Sequence, residues 1–201
     1  MRLEFLPFPF LAGLGILVTV SAILWHKNRN VSYLICFILF GLYLLVLIGL
    51  TLFPMPVFSP VKRQPVTSIL SRINLVPFRF GGLFSLHPYV ISYEILGNIA
   101  LTIPFGFGII FIAPKTARRI VGWVPGIGFA IEIAQLIASI GTGFSYRGID
   151  INDVILNDLG ALMGFGLFRL FAWIFLYIKH RFGIKPEGLF AYIDDVILKS
   201  V

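Results

Sequence analysis

Five long apolar stretches, separated by polar connections, dominate the pattern of hydrophobic and polar positions along the chain. Each stretch is about 20 residues long, which is the length that an α-helix needs to cross a hydrocarbon core of about 30 Å. Only the last two stretches are interrupted by a charged residue. The pattern therefore predicts five transmembrane helices, over Phe8–Trp25, Val31–Phe53, Ile95–Ala113, Ile120–Ile140 and Leu159–Ile178.

Two further segments are apolar enough to touch a membrane but unsuited to crossing it. In the long connection between the second and third helices, residues 72–79 interleave basic and apolar residues, a pattern typical of an interfacial segment. The C-terminal stretch 186–200 is amphipathic when drawn as a helix. Its apolar face contains Leu189, Ile193, Val196 and Ile197. We predict that this stretch forms an interfacial amphipathic helix.

The composition of the chain is that of a membrane protein. Of the 201 residues, 58% are hydrophobic and only 12% are charged, whereas soluble domains average about 25% charged residues. The mean hydropathy is +0.96, and these values exclude a soluble enzyme. No repeat and no linker divides the sequence, so we expect a single integral membrane domain over 1–201 with an all-α, polytopic helical bundle fold.

The distribution of Lys and Arg predicts the orientation of the bundle. An N-terminus on the outer side would place nine of the sixteen basic residues in the cytoplasm, in agreement with the positive-inside rule. These nine are Lys27, Arg29, Lys115, Arg118, Arg119, Lys179, Arg181, Lys185 and Lys199. We therefore expect the long connection between the second and third helices on the outer side.

Polar residues inside the predicted spans are the first candidates for a functional site, because a charged side chain within a membrane costs about 3 kcal/mol on insertion scales. Glu132 interrupts the fourth helix, and Gln135 follows on the same helical face. Asn98 lies at a similar depth in the third helix, so we expect the two amides to face one pocket, although an interhelical hydrogen bond is the alternative for Asn98. Arg169 in the fifth helix is a candidate ionic partner for Glu132.

The connection before the fifth helix has the highest density of charge. If a helix starts near Asp150, its polar residues and glycines form one stripe, which consists of Asp150, Asp153, Asn157, Gly160 and Gly164. In a structural interpretation, Asp150 caps the helix, Asp153 stabilises its dipole and the glycines permit close packing. In a functional interpretation, the same flank binds a ligand together with Arg147, which capping alone does not require.

These motifs together resemble those of the VanZ-like membrane proteins, over about residues 72–164. The resemblance rests on Arg72, Asn74, Leu75, Pro77 and Phe78 in the long connection, Asn98 leading to Pro104-Phe105-Gly106, the pair Glu132 and Gln135, and finally Arg147, Asp150, Asp153, Asn157, Gly160 and Gly164. Two features depart from the family pattern: Thr102 stands where an aromatic residue is expected, and the stretch between Gln135 and Arg147 is long.

The resemblance implies a bacterial cytoplasmic-membrane protein connected with the cell envelope and with lowered sensitivity to lipoglycopeptides, with a VanZ-like core over about residues 72–178. The family is named for a member associated with resistance to the glycopeptide antibiotic teicoplanin. The resemblance alone implies no defined reaction, so any mechanism has to come from the polar residues.

The first functional hypothesis is an enzyme or processing factor that acts on a phosphate-bearing, lipid-linked envelope molecule. The arginines, including Arg79, would hold anionic oxygens, and a buried carboxylate would exchange a proton near the bond being altered. The candidate catalytic residues are Glu132, Asp150 and Asp153. The candidate substrate-binding residues are Arg72, Asn74, Asn98, Gln135, Arg147 and Asn157. No cofactor is expected, although Asp150 and Asp153 could hold a hydrated Mg²⁺.

Two alternatives use the same residues without chemistry. In one, the site is a binding or transport module that recognises a lipid head group or an antibiotic. In the other, the polar residues form a buried network that fixes helix register, while activity resides in partner proteins. We expect the partner to be a membrane lipid or a lipid-linked envelope precursor, and no nucleic acid. The sequence contains no serine–histidine pairing and no phosphate-cradling glycine loop, which disfavours common hydrolases and nucleotide-driven enzymes.

Overall fold

The structure is a computed structural model that describes residues 2–3, 7–56, 63–78, 88–113, 122, 126–145 and 148–200. The helices within these ranges are α1 (Phe8–His26), α2 (Val31–Leu52), α3 (Val66–Leu70), α4 (Pro88–Ile112), α5 (Ile127–Thr142), α6 (Ile151–Phe182) and α7 (Gly188–Ser200). A short antiparallel ribbon pairs β1 (Arg2–Leu3) with β2 (Met55–Pro56). Apart from this ribbon the described elements are helices, and the predicted helical membrane bundle is confirmed.

Four of the described helices are long and apolar enough to cross a membrane, over Phe8–His26, Val31–Leu52, Glu94–Ile112 and Ile151–Phe182. They match four of the five predicted spans. The remaining span, predicted over Ile120–Ile140, is the shorter helix α5. Its 16 residues give a length of about 24 Å, which is less than a hydrocarbon core requires.

Helices α4 and α6 run parallel and touch along their backbones. Two hydrogen bonds join them in register. The side chain of Asn98 binds that of Asp153, and the hydroxyl of Thr102 binds the main-chain carbonyl of Asn157. Glycine makes this approach possible. A Cβ atom on Gly160 would overlap the carbonyl oxygen of Ile99, and one on Gly164 would overlap that of Ile103. The glycines of the predicted stripe are therefore packing positions, as in other membrane helix pairs with small residues at the interface.

Helix α7 packs back against the bundle at the end opposite to α3. Val196 and Ile197 are fully buried in one cluster with Phe168 of α6 and Ile110 of α4. Lys179 at the end of α6 forms an ion pair with Asp194 at 2.7 Å. The predicted amphipathic helix is confirmed, but part of its apolar face is covered by α4 and α6. The cause is the apolar surface that Ile110 of α4 and Phe168 of α6 offer to α7.

Replacing Gly164 by alanine should lower the free energy of unfolding by about 1–3 kcal/mol, because the added methyl group overlaps the backbone of α4. Gly166 on the same helix is the matched control, since a Cβ atom there meets nothing within 4 Å. Thermal unfolding of both variants in detergent measures the difference. Equal midpoints for the two variants would contradict the backbone contact.

Candidate functional site

Helix α6 begins inside the bundle rather than at its surface. The backbone N–H of Asp150 donates to Oε2 of Glu132 at 3.0 Å. Glu132 precedes Thr142, the last residue of α5, by ten residues, or about 15 Å along the helix. The chain that leaves α5 at Gly143 must therefore return into the bundle before α6 starts.

Asp150 caps α6 and also binds a distant segment. Its backbone is extended, with φ −134° and ψ 127°, and its Oδ1 accepts the N–H of Asn152 at 2.8 Å. That hydrogen bond satisfies one of the N–H groups that every helix leaves unpaired at its start. The same Oδ1 accepts Nδ2 of Asn74 at 2.9 Å. The capping interpretation is correct, and Asn74 adds a second contact that capping does not need.

The segment around Asn74 lies alongside the start of α6 as a short parallel bridge. The N–H of Asn74 donates to the carbonyl of Ile149, and the N–H of Ile151 donates to the carbonyl of Asn74, both at 2.9 Å. Further along, the N–H of Phe78 donates to Oδ1 of Asn152 at 2.6 Å. Phe78 has a φ of +60°, a conformation that non-glycine residues rarely adopt.

We name this network the loop clamp, and it consists of Asn74, Phe78, Glu132, Asp150 and Asn152. It joins three separate parts of the chain, because Glu132 lies on α5, Asp150 and Asn152 at the start of α6, and Asn74 and Phe78 in the segment after α3. Three of its members, Asn74, Glu132 and Asp150, are candidate site residues from the sequence. The structure brings these three together.

The other candidates on α4 and α6 form a second set of contacts below the loop clamp. Nδ2 of Asn98 donates to Oδ1 of Asp153 at 2.8 Å. The hydroxyl of Thr102, the residue that departs from the family pattern, donates to the carbonyl of Asn157 at 2.6 Å. Asn157 is only 1% exposed, and its Oδ1 has no hydrogen-bond partner in the described part of the chain.

The expected shared pocket of Asn98 and Gln135 is not what their contacts show. Nε2 of Gln135 donates to the carbonyl of Thr51 at 3.1 Å, so this amide ties α5 to the end of α2, whereas Asn98 binds α6. The difference arises because α2 ends level with Gln135, where its last carbonyl groups lack intrahelical partners. The two amides serve different helix contacts.

The proposed pairing of Glu132 with Arg169 is wrong. Arg169 follows Asp150, the residue that Glu132 binds, by nineteen positions, which is about 28 Å along α6. Its side chain is exposed, and within the described ranges the ion pairs are Lys179–Asp194 and Lys199–Asp195. The prediction failed because α6 starts at Ile151 and not at Leu159, which moves Arg169 away from the level of Glu132.

The arginine candidates divide into two groups. Arg72 is exposed and lies just after α3. Arg147 and Arg79 lie outside the described residues, so their roles stay predictions. Glu132, Asp150 and Asp153 lie within the described residues, and their catalytic roles also stay predictions.

A metal site finds little support among the described residues, which contain no group of three or more His, Cys, Asp or Glu side chains arranged to hold an ion. Asp150 and Asp153, the two carboxylates considered for Mg²⁺, each accept an amide hydrogen bond from another segment. Both carboxylates therefore form hydrogen bonds that join α6 to other segments of the chain.

Two residues that form hydrogen bonds between segments, Asn152 and Asp158, were not among the candidates from the sequence. Asn152 holds the N–H of Phe78, and Oδ1 of Asp158 accepts the N–H of Gly128 at the start of α5, at 2.8 Å. Asp158 carried a usable signal, because a carboxylate at the edge of an apolar span needs a partner. Asn152 carried none, since an asparagine after a helix cap is ordinary.

The fold and these contacts define a class: a helical membrane protein in which the chain between α5 and α6 returns into the bundle and is bound there by the buried carboxylate of Glu132. The family model described as VanZ/LLP1 matches residues 40–172, which is more than half of the chain, and the chain belongs to this family. It is also 28% identical over 137 residues to Protein VanZ of Enterococcus faecium, which covers 66% of this chain and 72% of that relative. No solved structure is significantly similar to the chain.

Exchanging the two partners at the centre of the loop clamp tests its geometry. Asn74→Asp should destabilise the protein by about 1–3 kcal/mol, because it places a second carboxylate against Oδ1 of Asp150. Adding Asp150→Asn should restore most of that loss, because asparagine still caps the helix and can donate to an aspartate at 74. Thermal unfolding of the single and double variants measures the coupling. Additive losses would show that the two side chains do not interact.

Proposed function

We propose that this protein recognises a phosphate-bearing, lipid-linked molecule of the cell envelope at the outer face of the bacterial cytoplasmic membrane, and that it lowers sensitivity to teicoplanin. Membership of the VanZ/LLP1 family and the similarity to Protein VanZ support the link with resistance. The properties of the segment held by the loop clamp support the recognition of an amphiphilic anion.

One observation carries this proposal: the loop clamp holds the segment 72–78 through the backbones of Asn74 and Phe78 and the side chain of Asn74, and leaves other side chains of the segment exposed. Leu75 is 73% exposed and Phe78 is 75% exposed, and Arg72 in the same segment is also exposed. Arg63, also exposed, lies at the same end of the bundle against Gly143. Guanidinium groups suit phosphate oxygens, and the apolar side chains suit the lipid chain that carries the phosphate.

Recognition without chemistry fits this geometry better than catalysis. Oδ1 of Asp150 and Oδ1 of Asp153 bind amides that join α6 to other segments, so both carboxylates contribute to the framework. Processing of the ligand is the second candidate, and the observation that favours it is the carboxylate of Glu132. This residue is only 5% exposed, and a shielded carboxylate is suited to proton exchange.

Expressing the chain in a teicoplanin-sensitive bacterium should raise the minimal inhibitory concentration of teicoplanin by several doubling dilutions. Arg72→Gln should remove much of this gain, because it deletes a charge that meets the anionic ligand. Arg181→Gln is the matched control, since Arg181 is an exposed arginine at the other end of α6. The amount of each variant in the membrane is compared by immunoblot. An unchanged inhibitory concentration with the wild-type chain overturns the role in resistance, and equal effects of the two variants overturn the role of segment 72–78.

Substitution of Glu132 separates recognition from processing. In Glu132→Gln the amide oxygen can still accept the N–H of Asp150, so this variant should fold and retain resistance if the site only binds. Glu132→Ala removes the acceptor and should reduce both folding and resistance, because a backbone N–H in the bundle is left unpaired. Unfolding temperature and inhibitory concentration are measured for both. A well-folded but inactive Glu132→Gln variant would favour processing.

A further inference from the structure

Helix α5 carries a stripe of buried polar side chains that extends beyond the loop clamp. Glu132, Gln135 and Ser139 are spaced at i, i+3 and i+7, and the exposed fraction of each is 6% or less. They share the face that points into the bundle. The stripe spans seven residue steps from Glu132 to Ser139, about 10 Å, and leads towards the end of α5 at Thr142.

Two polar atoms at the upper end of this stripe are buried and have no hydrogen-bond partner in the described part of the chain, namely Oγ of Ser139 and Oε1 of Gln64. Both residues form backbone hydrogen bonds with Gly143. The N–H of Gly143 donates to the carbonyl of Ser139, and the N–H of Gln64 donates to the carbonyl of Gly143, both at 2.9 Å. Gln64 therefore lies next to the last turn of α5, where Ser139 is located.

Buried polar atoms in proteins are nearly always hydrogen-bonded, either to protein or to ordered water. A dry pair of unpaired atoms at this depth would be costly, since each would lose its hydrogen bonds to water without replacement. A buried water molecule typically makes about three hydrogen bonds to such groups. The turn at Gly143 supplies a hydroxyl and an amide oxygen, and the amide of Gln135 follows one turn below.

We propose that ordered water binds between Ser139 and Gln64 and continues along the stripe to Glu132. In this arrangement the hydroxyl of Ser139 donates to or accepts from the water, and the water donates to Oε1 of Gln64. Glu132 is then hydrated from the end of the bundle that carries α3, although little of its surface is exposed. The inference goes beyond the proposed function and is independent of it, because the water is present whether or not an envelope lipid binds.

The sign of the stability change in Ser139→Ala tests the proposal. If water is bound, the substitution removes one of its partners and the midpoint of thermal unfolding falls. If the region is dry, the substitution removes an unpaired buried hydroxyl and the midpoint stays the same or rises. Ser21→Ala is the control for the intrinsic effect of serine in a helix, because the hydroxyl of Ser21 bonds only to its own helix, at Leu17. A midpoint equal to or above that of the wild type overturns the proposal.

Chemical labelling provides a second measurement that does not depend on that sign. In a Cys36→Ala background, Ser139→Cys should react with the small hydrophilic thiol reagent 2-aminoethyl methanethiosulfonate in the folded protein. Ile131→Cys, buried on the same helix, and Ile137→Cys, at a position 65% exposed on its outer side, should stay unreactive in lipid vesicles. A cysteine at 139 that reacts only after denaturation overturns the second part of the proposal, that water reaches the stripe and Glu132 from this end of the bundle. Neither measurement involves an antibiotic or an envelope lipid, so its failure would leave the proposed function untouched.

Discussion

The hydrogen bond from the backbone of Asp150 to the carboxylate of Glu132 fixes the depth at which α6 begins, and the rest of the site follows from that depth. The first N–H groups of any helix lack intrahelical partners. In a membrane bundle such groups cannot rely on bulk water, and each unpaired group costs several kcal/mol. Acceptors on side chains must replace the water, and Glu132 and Asp150 both act in this way. Their negative charge also suits the positive end of the helix dipole.

The same constraint acts on α5, and the two helices meet it reciprocally. A carboxylate of α5, on Glu132, binds the N–H that precedes α6, and a carboxylate of α6, on Asp158, binds the N–H of Gly128 in the first turn of α5. Both helices can therefore begin inside the bundle. This exchange explains why acidic residues interrupt otherwise apolar helices.

The sequence predicted those features that depend on periodicity. Apolar runs located the long helices, and the spacing of Asp153, Gly160 and Gly164 correctly placed these residues on one face of α6, which packs against α4. Periodicity specifies a face but not the partner that covers it. The bridge between Asn74 and Asp150 joins residues 76 positions apart, and no local pattern indicates such a contact.

The sequence also did not reveal the level in the bundle at which α6 begins. Hydropathy places the ends of an apolar run, but α6 extends eight residues before the run begins, because hydrogen bonds stabilise the polar residues of its first turns. The predicted meeting of Glu132 and Arg169 depended on the wrong starting residue. Counting apolar residues therefore does not locate the start of a helix when polar contacts fix that start. The predicted ligand roles of Asn157 and Arg72 do not depend on this error.

The backbone of Phe78 is the strongest reason to regard the loop clamp as more than a structural device. A left-handed conformation costs a non-glycine residue about 1–2 kcal/mol, and the N–H of Phe78 is held in it by Asn152. The ring gains little burial in return, since it is 75% exposed. A strained conformation that polar contacts maintain, without a compensating gain from packing, is characteristic of positions with a function. A segment that is held by hydrogen bonds and carries an exposed aromatic ring and an exposed arginine, Arg72, is suited to the proposed amphiphilic ligand, because part of the order that binding requires is present before the ligand arrives.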